Sequence, residues 1–324
     1  MKNSETFRLF IAGGYGMVGS NIAELARKYF PNAEIFIAGR NPEKGQLLAE
    51  KLGNAYTVKF DLEDDKIPEE AIKSDMIITA FPDPYNLLGE LAVKHNIAFI
   101  NITSGSGDDI LPLLSLCAIH KPTRPIVPLG YYETGLFLPL VHQLSDSFQT
   151  IEEVTMTALH DPADPLGEQT QAELTAEPIP AFIRLNRLWT RSGTERKITL
   201  SDGTITQSIP FGTLDIPAVS AMTGAKSVQE YVASGISMGS YKNGLPSIDL
   251  YVDIKGVDLS GIRTTKRIIA SDNQGHSHFT AFGVIVVIDA ILNSDKSGLR
   301  FFEELVDYKN AIQMIKAEGI SIIV

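Results

Sequence analysis

Three glycines, Gly14, Gly16 and Gly19, stand in the run Gly13-Gly14-Tyr15-Gly16-Met17-Val18-Gly19. An apolar run, Phe7 to Ala12, precedes them, a helical pattern follows to Phe30, and a second apolar run, Ile35 to Ala38, ends in Gly39-Arg40. Glycines at this spacing between a strand and a helix suit a dinucleotide pyrophosphate. The first permits a tight turn, the second lets backbone approach the phosphates, and the third lets the helix pack closely, so that its orphan N–H groups face the anion. Gly13, Gly14, Tyr15, Gly16, Met17 and Val18 are the contacts this predicts. At the end of the second apolar run, where an NAD-selective chain carries an acidic residue for the ribose 2′-hydroxyl, this chain has Arg40, with Asn41 and Lys44 close by. A planar guanidinium there suits a 2′-phosphate, so NADP(H) is expected in preference to NAD(H), with Gly39, Arg40 and Asn41 around the ribose.

Other residues could move protons or hold charge. Tyr131, Tyr132 and Glu133 follow the last predicted strand of the first region and are candidates for a proton relay; the alternative is a packed connector between domains. His160 ends a predicted strand before Asp161-Pro162, a position for an oriented acid–base imidazole or for a solvated turn. Arg184, Arg187 and Arg191 fall three and four apart, so a helix would put them on one face, where they could bind substrate carboxylates beside Trp189. The alternative is a solvated face paired with Glu177 or Glu195. His276 and His278 have a spacing found among metal ligands, but no cysteine or further histidine cluster accompanies them, and no metal is expected. Cys117, in an apolar helical context, is predicted to be core.

The 324 residues, 44% hydrophobic and 21% charged, suffice for two domains with sizeable cores. A net charge of −11 argues against nucleic-acid and anionic-membrane partners, so the partner expected is a small molecule. The single cysteine points to a reducing compartment, Glu5 and Arg8 interrupt any signal-peptide core, and the most apolar stretch, Phe282 to Leu292, is too short to span a bilayer. A cytoplasmic protein is expected.

To position these residues, the first part of the chain alternates strands with helices. Strands are predicted at Ala55–Phe60, Ser74–Ala80, Ile97–Ile102 and Pro125–Leu129, with helices at Pro42–Leu52, Tyr85–Asn96 and Ile110–His120. That alternation predicts right-handed crossovers and a doubly wound parallel sheet of Rossmann type, with ligands at the carboxyl ends of its strands. Asp61, Leu62, Ala80, Phe81, Pro82 and Thr103 then join the cofactor crevice. Beyond residue ~140, longer alternating segments at 151–160, 197–208, 248–257 and 263–271 predict a mostly antiparallel sheet in a second α+β domain. Helices are predicted near Pro180–Trp189 and Ser227–Ser234. The boundaries expected are 1–138 for the NADP-binding domain, 139–279 for a substrate and dimerisation domain, and 280–324 for helices returning to the first. The exposed alternation of the middle sheet favours a homodimer.

The segments Ala38-Gly39-Arg40-Asn41-Pro42-Glu43-Lys44, Ser74 to Pro84, Phe99-Ile100-Asn101-Ile102-Thr103 and Gly130-Tyr131-Tyr132-Glu133-Thr134-Gly135-Leu136 resemble those of saccharopine dehydrogenase-like oxidoreductases. The resemblance covers the first 140 residues and, loosely, the C-terminal helix. Asn101 stands where that family commonly has aspartate, and Thr134 where it commonly has proline. The resemblance implies hydride transfer between a nicotinamide and a C=N/C–N (or C=O) bond of a small, amino-acid-like substrate. Two alternatives are a non-catalytic NADP-binding sensor or scaffold, and an atypical short-chain dehydrogenase using Tyr251 and Lys255, four residues apart.

Overall fold

Short, uniformly apolar runs separated by amphipathic segments produce a sheet buried on both faces. The computed structural model describes residues 6–64, 66–102, 110–167, 171 and 180–324. The described part divides into two compact units: residues 1–130 with 280–306, and residues 131–279 with 307–324.

In the first unit, strands β1 (Arg8–Ala12), β2 (Glu34–Gly39), β3 (Ala55–Lys59), β4 (Met76–Thr79), β5 (Ala98–Asn101) and β6 (Pro125–Pro128) alternate with helices. The helices are α1 (Met17–Tyr29), α2 (Gln46–Leu52), α3 (Glu69–Ile72), α4 (Leu87–His95) and α5 (Ile110–His120). A short strand, β15 (Gly298–Leu299), completes a parallel sheet ordered β15-β6-β5-β4-β1-β2-β3. The order reverses direction between β1 and β4, the switch point of a Rossmann sheet, where ligands are bound at the carboxyl ends. Leu9, Phe10, Ile11 and Ala12 of β1 are fully buried, and α1 turns Ile22, Ala23 and Ala26 onto the sheet. Arg27 and Lys28 in the last turn of α1 complement its negative end.

The second unit is built on β7 (Phe148–His160), flanked by β12 (Ser227–Ser234) in parallel and β13 (Ile248–Asp258) antiparallel. Hairpin β10 (Arg196–Thr199) and β11 (Ile205–Pro210) extends it beyond β12, and β14 (Arg263–Asp272) and β16 (Ser321–Ile323) extend it beyond β13. Helices α6 (Phe137–Ser145), α7 (Asp215–Thr223), α8 (Met238–Asn243) and α11 (Tyr308–Glu318) belong to this unit; α9 (His276–Leu292) begins in it and continues in the first, which also holds α10 (Phe302–Leu305). Residues 307–324, expected to return to the nucleotide domain, cluster instead with the second unit. Among the described residues, no helix is long and apolar enough to cross a membrane.

Two predicted helices are strands. Residues 180–189 contribute to a hairpin of β8 (Ala181–Leu185) and β9 (Leu188–Ser192), closed by Asn186 and Arg187 at φ 48° and 72°. Two left-handed residues in a two-residue loop match the twist of the flanking strands. The three-and-four spacing of the arginines hid a period of two. Ser227–Ser234 is β12, packed between β11 and β7, where Val228 and Tyr231 meet the core and the strand environment overrides local helix propensity.

Candidate functional site

The glycine turn joins β1 to α1 at the carboxyl edge of the first sheet. Gly13 has φ +82°, and its N–H and that of Gly14 both donate to the Ala38 carbonyl, at 2.9 and 3.1 Å. A Cβ on Gly14 would lie 2.8 Å from the Ile11 carbonyl oxygen, and one on Gly19 only 2.1 Å from that of Gly13. Both positions are closed to any side chain by backbone. Gly16, by contrast, is exposed and caps α1 with no side-chain hydrogen bond, and the first helical turn holds no acidic residue. The result is a helix N-terminus that offers its N–H groups and positive dipole end to an anion. The cradle fits a dinucleotide pyrophosphate.

The neighbouring predicted contacts cluster at the same edge. The Tyr15 ring lies against Gly39, where a Cβ would come within 2.4 Å of it, and the Tyr15 hydroxyl accepts the Asn41 N–H at 2.9 Å. Tyr15 thus fixes the turn that presents Arg40, whose side chain is exposed. Met17 and Val18 open α1; Asp61 and Leu62 follow β3, with Leu62 packed on the core. Ala80, Phe81 and Pro82 follow β4, and the Phe81 ring approaches Gly13, 3.0 Å from where its Cβ would be. Thr103 lies outside the described residues. Asn101, a departure from the family pattern, accepts the buried Thr79 hydroxyl at 3.1 Å and joins the ends of β4 and β5.

A second constellation lies inside the second unit. The chain leaves β6 through Leu129-Gly130 and enters a tight turn, Tyr132–Gly135, from an extended Tyr131 that is itself buried. Glu133 and Thr134 have φ 37° and 38°, followed by Gly135 at 92°. A left-handed non-glycine residue costs about 1–2 kcal/mol. Thr134 therefore departs from the family's proline at a φ that proline cannot adopt. The Glu133 carboxylate meets His276 Nδ1 at 2.6 Å, and the Tyr132 hydroxyl meets His160 Nε2 at 2.5 Å. The two imidazoles lie 5.3 Å apart, centroid to centroid. One donor atom each of Glu133, His160 and His276 lies within 4.8 Å of the other two. Burial pulls His160 down to about 4, with the Glu133 charge opposing and His276 adding to the fall, so His160 is neutral at pH 7.

The surroundings hold this group in place. Asp164 accepts the His276 backbone N–H at 2.7 Å, and burial pushes its carboxyl up. Asp215 accepts the Tyr132 N–H at 2.7 Å. The Thr213 hydroxyl lies 2.7 Å from both Asp215 and Glu230. One hydroxyl proton cannot serve two carboxylates. Glu230, fully buried and beside the Asp215 charge, is raised well above the ordinary carboxylate range and carries the extra proton.

The remaining candidates stand elsewhere. Arg184 faces Trp189 across the β8–β9 hairpin, its guanidinium 5.7 Å from the ring centroid, and Trp189 stacks on Phe182 at 5.2 Å. Arg187 is in the hairpin turn, its N–H bound to the Lys226 carbonyl, and Arg191 donates to the Pro180 carbonyl. The single-faced helical cluster of arginines does not form. His278 is held by Asp272 at 2.6 Å, so His276 and His278 have different partners. Tyr251 is buried on β13 and hydrogen-bonded to Ser201, while Lys255, four residues along an extended strand, is about 13 Å away. That removes the short-chain dehydrogenase alternative, which needs both on one helix. Cys117 is buried and free. The sequence reading passed over Asp164 and Asp215, and considered His276 only with His278; the left-handed Gly275 beside Asp164 gave no readable signal.

No protein-family model and no curated protein sequence matches the chain. Among solved structures, apo saccharopine dehydrogenase (L-Glu forming) from Saccharomyces cerevisiae aligns with a TM-score of 0.68 at 11% identity, over 98% of this chain and 100% of that one. A substituted meso-DAPDH from Clostridium tetani with DAP aligns at 0.53 and 13% identity, over 96% and 99% of the two chains. A probable dehydrogenase from Thermotoga maritima aligns at 0.50 and 12%, over 96% and 95%. The chain has a Rossmann-type fold, similar as a fold to that of the saccharopine dehydrogenase structure.

Proposed function

We propose that this chain is an NADP(H)-dependent oxidoreductase that moves hydride to or from a C–N bond of a small, amino-acid-like substrate. The observation that carries the reading is the glycine turn at the switch point of the first sheet, open at Gly16 and closed by backbone at Gly14 and Gly19. The exposed Arg40, on a turn fixed by Tyr15, supports a 2′-phosphate on the cofactor. The likeness in fold to a saccharopine dehydrogenase supports the choice of substrate class by analogy.

The nicotinamide, when bound, supplies or accepts the hydride. The first-turn N–H groups of α1 hold its pyrophosphate. Reduction of a C=N bond also needs a proton at nitrogen. Tyr132, with neutral His160, and Glu133, with His276, are the groups of the second unit that can hold and release one. Arg184 and Arg187 remain candidates for substrate carboxylates from the β8–β9 hairpin. Exposed Phe182, Leu188 and Trp189 on that hairpin favour a homodimer. The test is oxidation of NADPH by the full chain with panels of amino acids plus keto acids, and of preformed imines. Turnover with an amine-plus-carbonyl pair supports the reading; tight NADPH binding without turnover across the panel contradicts it and favours a sensor.

A further inference from the structure

Glu133, His160 and His276 reach one place from three parts of the chain: the turn after Tyr131, the end of β7 and the start of α9. All three are buried, at 5, 5 and 8% exposure. Two imidazoles and one carboxylate form a donor set suited to a divalent transition metal, and three protein ligands are the number found where a fourth position is kept for substrate or water. Zinc–nitrogen and zinc–oxygen bonds of about 2.0–2.2 Å place neighbouring ligand atoms roughly 3.3 Å apart in a tetrahedron. The Glu133–His276 contact of 2.6 Å would widen by less than an ångström, and the His160 ring, one of whose nitrogens is within 4.8 Å of a ligand atom of each, would draw in and turn Nδ1 to the ion.

Two further observations point to a ligand. His160 Nδ1 has no hydrogen-bond partner, although the ring is buried and its other nitrogen is taken by Tyr132. An unpaired buried polar atom is destabilising, and a metal bond would offset that loss. Glu133 is also held in a left-handed conformation beside a second left-handed residue, Thr134, and strain of this kind persists where the surroundings impose it. Tyr132, on the far nitrogen of His160, stands where the outer contacts that orient metal-binding histidines stand.

We infer that Glu133, His160 through Nδ1, and His276 bind one divalent transition-metal ion, Zn2+ by preference, and leave a coordination position for an oxygen or nitrogen of the substrate. Binding displaces the proton from between Glu133 and His276 Nδ1, to the other ring nitrogen of His276 or to solvent, and His160 Nε2–H then donates to the Tyr132 oxygen. With metal bound, Tyr132 is the proton donor left in the group. The site lies wholly in the second unit and makes no use of the dinucleotide.

The probe is Zn2+ alone, titrated calorimetrically into chelator-treated full chain without cofactor or substrate. One ion per chain is expected. His160→Gln and Glu133→Gln should each weaken binding by about 100-fold, and Tyr132→Phe by about 10-fold, the lower end of the range for outer contacts. His120→Gln, on α5, should change nothing. Should a variant fail to fold, histidine ring-nitrogen NMR of the unaltered chain decides: Zn2+ should shift His160 and His276, and leave His95, His120 and His142 in place. No binding, or binding that persists in both Gln variants or shifts only the other histidines, overturns the inference. Because no nicotinamide is present, that outcome leaves the glycine-turn reading intact.

Discussion

The glycine turn and the Glu133 group are opposite ways of building chemistry. The turn is made of backbone: the anion site proposed there is a bare helix N-terminus, its shape comes from what glycines leave out, and its key residues lie within one β-α-β stretch. The Glu133 group is made of side chains that are almost wholly buried, drawn from positions 132, 133, 160 and 276, and tied by hydrogen bonds of 2.5 and 2.6 Å. The first is intolerant of added atoms; the second is intolerant of lost partners. Substitutions that add volume and substitutions that remove polarity should therefore separate the two.

The largest effect is expected from Gly19→Ala, whose methyl would enter the Gly13 carbonyl. It should cost about 3 kcal/mol and lower Tm by roughly 6–12 °C, with dinucleotide binding lost along with structure, as thermal unfolding and NADPH fluorescence would register. Gly16→Val sharpens the contrast. That position is exposed and its Cβ meets only the Gly13 oxygen at 3.2 Å, so the chain should keep its Tm within ~2 °C while NADPH affinity falls about 100-fold. An unchanged affinity would break the link between the turn and the cofactor.

This contrast also separates what the sequence disclosed from what it hid. The parallel sheet was legible because a buried strand needs an apolar run and a crossover helix needs an amphipathic one, both local requirements. The glycines were legible for the same reason. The partner of Glu133 was not, because His276 lies 143 residues away and only the folding of β7, β13 and β14 brings that segment back. The hairpin at 181–192 was misread because the spacing of Arg184, Arg187 and Arg191 satisfies a helix as well as chance allows, while the deciding signal was a pair of left-handed residues. Glu230 was misplaced in a predicted helix; its strand context and its proton both come from tertiary neighbours.

Tyr251→Phe tests the excluded alternative at smaller scale. Loss of its hydrogen bond to Ser201 should cost about 1 kcal/mol in denaturant unfolding, with turnover unchanged. A loss of turnover with stability intact would return Tyr251 to the chemistry. The smallest effect concerns Glu230. Its carboxyl is raised in the folded state above its ordinary 4.5, so the stability it contributes is fully present below that value and fades as pH rises through the raised one. Glu230→Gln, which keeps a donor toward Thr213 and cannot ionise, should gain stability relative to the unaltered chain as pH rises from 5 to 9. A relative loss over that range would mean that Glu230 is ionised and paired.

The central claim is that the glycine turn and Arg40 together bind a dinucleotide carrying a 2′-phosphate. The direct measurement is the Kd of NADPH and of NADH for the unaltered chain and for Arg40→Asp, at fixed ionic strength. NADPH should bind more tightly to the unaltered chain. The substitution should weaken NADPH by roughly 30-fold or more, the loss of a charge-assisted contact worth about 2 kcal/mol, and leave NADH within about threefold. Equal weakening of both, or no preference to begin with, would contradict the claim.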